Sequence, residues 1–212
     1  MKLPPTSNDA FNVVAIGAWN PSIFSPEWAK EHLADDKDRE VIMAIPMPMG
    51  NLPPRLTVDG VNLYPSSVAL AVDCVEYNDV SIEACGAKIN KIAELLPHTP
   101  INAVGVNFRF WGDLDDSEVL ADLFTFSDAG RIKTQFVTSG ALIKRAFRLS
   151  DSTILNLSID TFSEHLLVEF NFHSDVRRMA DFAAKTSAER IRSTRDQARA
   201  FLLDVYDIEI GT

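Results

Sequence analysis

Residues 101–111 read Ile101-Asn102-Ala103-Val104-Gly105-Val106-Asn107-Phe108-Arg109-Phe110-Trp111, and their alternation decides the fold. Val104, Val106, Phe108 and Phe110 fall on one side of an extended chain; Ala103, Gly105, Asn107, Arg109 and Trp111 fall on the other. Such a strand lays one apolar face on a core and leaves a second face that is not core. Gly105, inside the strand, marks a place where another group packs close.

Toward the N-terminus, the spacing predicts a helix over 79–96, with Asp79 as its cap. Ile82, Cys85, Ile89, Ile92, Leu95 and Leu96 recur at steps of three and four, and Pro97 stops it. Residues 67–76 alternate as a half-buried strand. Asp59-Gly60, between Leu56-Thr57-Val58 and Val61-Asn62-Leu63, predicts a hairpin with a type I′ turn. Residues 40–47 form an apolar strand closed by a proline-rich loop running to Pro54. Ser25-Pro26 predicts a capped helix to about Asp35. Residues 11–18 read as a central strand buried on both faces. Residues 1–112 therefore follow a ferredoxin-like βαββαβ plan with an inserted hairpin.

Toward the C-terminus comes the acidic run Asp113, Asp115, Asp116, Glu118 and Asp122, with a helix expected over 117–126. Three strand-like segments between 132 and 172, turning at Asp151-Ser152 and at 161–163, predict an antiparallel meander with one wet face. Residues 176–206 are helical in pattern, with a break near Lys185-Thr186-Ser187. The fold class expected is α+β with a mainly antiparallel sheet. Residues 113–212, a β-meander plus a long C-terminal helix, pack with the first half as one unit.

Composition sets the outer bounds. The chain has 212 residues, 46% hydrophobic and 24% charged, with 20 basic against 30 acidic side chains for a net charge of −10. That hydrophobic share supports a core, and that charge opposes contact with phosphate backbones and anionic membranes. Met1–Asp9 has no apolar signal region and the run from Val13 to Trp19 is too short to cross a bilayer, so a cytoplasmic protein is expected. Cys74 and Cys85 form no C-x-x-C pair and are expected as buried reduced thiols.

Phosphate-cradling glycine loops, G-x-S-x-G and H-E-x-x-H are all lacking, so the sequence assigns no catalytic residue and no cofactor. The acidic run lacks the glycine and closing glutamate of an EF-hand and reads as a solvated helix start, so no metal site is expected. His165 and His173 share a strand face but lie about 26 Å apart by strand rise, too far for one metal. Ser174 or Asp175 is expected to cap the following helix.

Four residues stand as ligand-binding candidates: His98 on a loop between prolines, Asn107 and Arg109 on the less apolar strand face, and His173 beside Asp175. If that strand face is covered, Asn107 and Arg109 must be paired, because a lone buried guanidinium is costly. Over residues 177–199 of the terminal helix, Arg177, Arg178, Lys185, Arg190, Arg192, Arg195 and Arg199 meet only Asp181, Glu189 and Asp196. Without aromatic interleaving, this points to pairing with the acidic remainder of the chain or of a second subunit rather than to nucleic acid.

Glu94-Leu95-Leu96-Pro97-His98-Thr99-Pro100, followed by Ala103-Val104-Gly105-Val106-Asn107-Phe108, resembles a stretch recurring in uncharacterised bacterial proteins of similar size. The resemblance implies a bacterial or phage origin and an α+β fold, and carries no activity. The function expected is that of a non-catalytic intracellular binding or assembly protein forming a homo-oligomer, since 13 Phe and long two-faced strands offer surplus apolar surface. The competing expectation is a small-molecule enzyme with a pocket between the sheet and the C-terminal helix.

Overall fold

The computed structural model describes residues 2–3, 10–46, 53–113, 124, 129–132, 137, 139–162 and 165–210. Its strands are β1 (Lys2–Leu3), β2 (Phe11–Gly17), β3 (Ile42–Ala44), β4 (Arg55–Val58), β5 (Val61–Pro65), β6 (Ala69–Cys74) and β7 (Ile101–Asp113), then β8 (Gly140–Ser150), β9 (Thr153–Phe162), β10 (His165–Asp175) and β11 (Glu209–Ile210). The helices are α1 (Pro26–His32), α2 (Asp79–Leu95), α3 (Ala129–Ile132), α4 (Met179–Lys185) and α5 (Ala188–Tyr206).

Nine strands form one sheet in the order β3-β4-β5-β6-β2-β7-β10-β9-β8, and every neighbouring pair is antiparallel. The protein is α+β, as its patterning predicts. Within the order, β5-β6-β2-β7 is the four-strand arrangement of the βαββαβ plan. The hairpin is thus part of the sheet: its second arm, β5, lies beside β6, and residues 42–44 are pushed to the edge. The turn dictates this, because φ of +47° at Asp59 and +77° at Gly60 makes the expected type I′ turn and fixes Val58 opposite Val61. The meander continues the sheet from β7 through β10, β9 and β8. A separate parallel pair, β1 with β11, has no signature in the sequence pattern.

The core lies between one sheet face and the helices. Val104, Val106, Phe108 and Phe110 of β7 join Val168, Phe170 and Phe172 of β10, all at most 5% exposed, beneath Ile191, Ala198 and Leu202 of α5. The other face of β2 holds half-exposed Asn12 and Val14 and exposed Ile16, so β2 is central but buried on one face only. The reason is that α1, α2, α4 and α5 all add their buried residues to the core on the opposite face.

Local signals behave as their chemistry demands, with two exceptions. Ser25 caps α1 by accepting the Trp28 amide at 3.2 Å, and Ser187 caps α5 after the break at Thr186. The cap of α2 is Asn78, which accepts the Ser81 amide at 2.9 Å, and not Asp79, whose carboxylate is held by Arg195. Neither Ser174 nor Asp175 caps a helix: β10 runs through both, Ser174 bonds Thr153 at 3.0 Å, and α4 starts later with no side-chain cap. Residues 117–123 and 125–126 of the expected acidic helix, like the carboxylates Asp115, Asp116, Glu118 and Asp122, lie outside the described residues. Both cysteines are free, Cys85 buried and Cys74 half-buried; the Cys74 thiol beside it, and then burial, push the Cys85 thiol up. Among the described residues no helix is long and apolar enough to cross a membrane.

Gly86 is where α2 meets the start of α5. A Cβ there would lie 2.7 Å from the Ala188 amide nitrogen and 3.0 Å from its Cα, and backbone cannot swing aside. Gly86→Ala is expected to lower stability, because overpacking of about 1–3 kcal/mol outweighs about 1 kcal/mol of helix propensity. A lower urea midpoint at unchanged slope checks this.

Candidate functional site

The wet face of the sheet carries a row of polar side chains at one register level. Asn62 lies opposite Asp73, Asp73 opposite Asn12, Asn12 opposite Asn107, Asn107 opposite Asn171, and Asn171 opposite Asn156. Thr57 opposes Asn62 at the far end. Interstrand spacing sets these side chains about 4.8 Å apart, which suits an amide-to-amide hydrogen bond.

The bonds form, and they share a direction. Asn156 donates to Asn171 at 2.9 Å, Asn171 to Asn107 at 2.6 Å, and Asn107 to Asn12 at 2.6 Å. From the other side Thr57 donates to Asn62 at 2.6 Å and Asn62 to Asp73 at 2.7 Å. Both runs are polarised toward the Asp73 carboxylate, the natural sink for oriented donors. Burial, and then that carboxylate, push the neighbouring Tyr64 phenol up, with Arg55 opposing. Gly105 makes the close approach possible, since a Cβ on it would sit 2.7 Å from the Asn171 amide nitrogen.

One level along, Arg109 donates through Nε to Glu169 at 2.6 Å, each side chain 36% exposed. The two levels flank a shallow concavity of about 450 Å³ lined by Asn107, Arg109, Lys144, Asn156, Glu169 and Asn171. Amides are neither acids nor bases at neutral pH; each has two donors and two acceptor lone pairs, of which Asn107 and Asn171 use one of each within the row. The remainder makes a preorganised, repeating surface for hydrogen bonding.

Of the four residues singled out from sequence, Asn107 and Arg109 meet at this concavity, and both are paired. His173 shares the sheet face but does not line the concavity; it stands opposite Gly105 and 3.4 Å from Asp175. His98 does not join them: it stays exposed on the loop between α2 and β7. None of the four lines the space between the sheet and the terminal helix, where a smaller cavity of about 260 Å³ is bounded by other residues. The reason is the strand phase itself, which sends Asn107, Arg109 and His173 to the face away from α5. Asn12 and Asp73 are not among the residues the sequence singles out as binding candidates, although Asn12 is the one polar side chain among Val14 and Ile16 on its face of β2.

Among the described residues, three of the seven basic residues over 177–199 are paired with carboxylates of the chain: Arg192 with Glu83 at 3.5 Å, Arg195 with Asp79 and Asp196, and Arg178 with Asp181 at 2.8 Å. Among the described residues no group of three or more His, Cys, Asp or Glu could hold a metal ion.

The fold and this surface define an α+β protein with a one-sided helical layer and an amide-lined sheet face. Compared with protein-family models, with curated proteins and with solved structures, the chain matches none.

Proposed function

We propose that this chain is a non-catalytic binding or assembly protein that forms a homodimer through the amide-bearing face of its sheet. The observation that carries the reading is the hydrogen-bonded row from Asn156 to Asn12, whose spare donors and acceptors are self-complementary. Self-complementarity is what a two-fold interface requires, because the same patch meets itself. The Arg109–Glu169 pair shares that property, offering one cation and one anion to a facing copy.

Edge-to-edge pairing is disfavoured by comparison. The edge strand β8 carries Lys144, Arg145 and Arg148, and two such edges would set like charges against each other. The phenylalanines that suggested surplus apolar surface are mostly consumed in the core, so the polar face rather than an apolar patch supports association. A reducing compartment such as the cytoplasm suits the two free thiols.

Light scattering on a sizing column tests the proposal. The wild-type chain is expected at about twice its 23.5 kDa mass at micromolar concentration. Asn156→Arg places a cation at the exposed end of the row and keeps a donor for Asn171; it is expected to weaken self-association by about a hundredfold while leaving the far-ultraviolet circular dichroism of the folded chain unchanged. A wild-type monomer, or an Asn156→Arg dimer as tight as wild type, would sink the reading.

A further inference from the structure

The recess between the sheet and the terminal helix is built differently from the amide face. Arg190, Thr194 and Gln197 stand at i, i+4 and i+7 on α5 and present one stripe. Beneath them lie Thr153 and Ser174, at the ends of β9 and β10, and Lys185 closes the side from the last turn of α4. The enclosed volume is about 260 Å³, near the lower end of small-molecule sites. Its floor is apolar, made by Val104, Val106 and Phe172, which are 1%, 4% and 5% exposed.

Three hydroxyl groups are drawn into this recess. Thr153, Ser174 and Thr194 are 7%, 5% and 7% exposed, a burial that polar side chains accept when hydrogen-bonded. Thr153 and Ser174 satisfy one another at 3.0 Å, and Thr194 bonds the Arg190 carbonyl at 2.7 Å. Lys185 Nζ reaches Ser152 and Thr153 only at 3.3 and 3.4 Å.

The charge pattern is the deciding observation. Arg178, Arg192 and Arg195, on or beside the same two helices, each hold a carboxylate. Among the described residues neither Lys185 nor Arg190 does, in a chain with 30 acidic and 20 basic side chains. With acids in excess, two cations at the mouth of a polar recess leave their counter-charge to be supplied from outside. The start of α5, capped at Ser187, adds the positive end of its dipole nearby.

The geometry points to this recess as the binding site for a small organic anion, its carboxylate or phosphate-ester head between Lys185 and Arg190 and its short apolar body on Val106 and Phe172. The one hydroxyl hydrogen that the Thr153–Ser174 pair leaves free adds a neutral donor for the head, and the floor selects for the body. This site lies on the opposite side of the sheet from the amide row and does not depend on dimerisation.

The test is a titration of ¹⁵N-labelled protein with benzoate, phenyl phosphate and inorganic phosphate at constant ionic strength, followed by amide chemical shifts. Benzoate and phenyl phosphate are expected to give saturable shifts around Lys185, Arg190 and Thr194, with inorganic phosphate weaker for want of an apolar body. Lys185→Gln and Arg190→Gln, both at accessible positions, are each expected to weaken the aryl anions by about tenfold, the worth of one charge-assisted hydrogen bond. Asn156→Arg is expected to leave this binding unchanged. Shifts that never saturate, aryl-anion affinities equal to wild type in both glutamine variants, or inorganic phosphate binding as tightly as the aryl anions, would each overturn the assignment.

Discussion

Lys88→Met is expected to destabilise the fold by about 3–5 kcal/mol, the cost of leaving a buried charge without its partner. Lys88 projects from the buried face of α2, its side chain 4% exposed, and holds Asp59 at 2.9 Å and Asp35 at 2.7 Å. The Asp59 side chain is 5% exposed, and the residue occupies the first turn position of the β4–β5 hairpin. Burial alone would raise the Asp59 carboxyl, but the Asp35 amide, then Lys88, then Arg39 outweigh it and hold the group below its ordinary value. One carboxylate thereby ties a hairpin turn, the loop after α1 and a helix together.

The pH dependence follows from that sign. A carboxyl depressed by folding contributes stability that is fully present above its unfolded value of about 4 and is lost as pH falls through the folded value. Wild-type protein should therefore lose stability on acidification. The Lys88→Met variant should show less of that loss, since its Asp59 no longer has the ammonium to favour ionisation. Guanidinium unfolding at neutral pH and at about pH 3 measures both effects, and equal acid sensitivity in the two proteins would show that the Lys88–Asp59 pair does not set it.

Phe170→Ala is expected to cost a comparable amount, about 3–5 kcal/mol. The ring is 1% exposed at the centre of an aromatic cluster, with centroids 6.2 Å from Phe110, 6.3 Å from Phe172 and 6.0 Å from Phe201. It joins β7, β10 and α5, so its removal opens a void where sheet and terminal helix meet. Chemical denaturation reads the loss directly. A cost below about 1 kcal/mol would mean that the cluster collapses to fill the space.

How far these features were readable from sequence depends on whether they are local. The phase of β7, the Asp59-Gly60 turn, the Ser25 cap and the break at Lys185-Thr186-Ser187 are set by residues next to one another, and all stand where their chemistry puts them. The hairpin even fixes its own register, placing Thr57 opposite Asn62. The amide row beyond it is different: alternation shows which face Asn107, Asn171 and Asn156 occupy, but the apolar run around Asn12 reads as buried on both faces, and nothing local shows that four strands bring the four amides to one level. Lys88 was a nearer miss. It lies three residues after Cys85 and four before Ile92, inside the apolar stripe, and a lysine there calls for a buried anion that only the tertiary structure identifies.

The sheet's two middle strands come from opposite ends of the first half, with Asn12 bonded to Asn107 across a separation of 95 residues. Closing so long a loop before the rewarding contacts exist places this topology among slow folders, in the millisecond-to-second range rather than microseconds. A growing chain on the ribosome would hold β2 without one of its two flanking strands until β7 emerged. For that interval the backbone edge of β2 that later pairs with β7 would stand open, and an open strand edge is a template for wrong pairing.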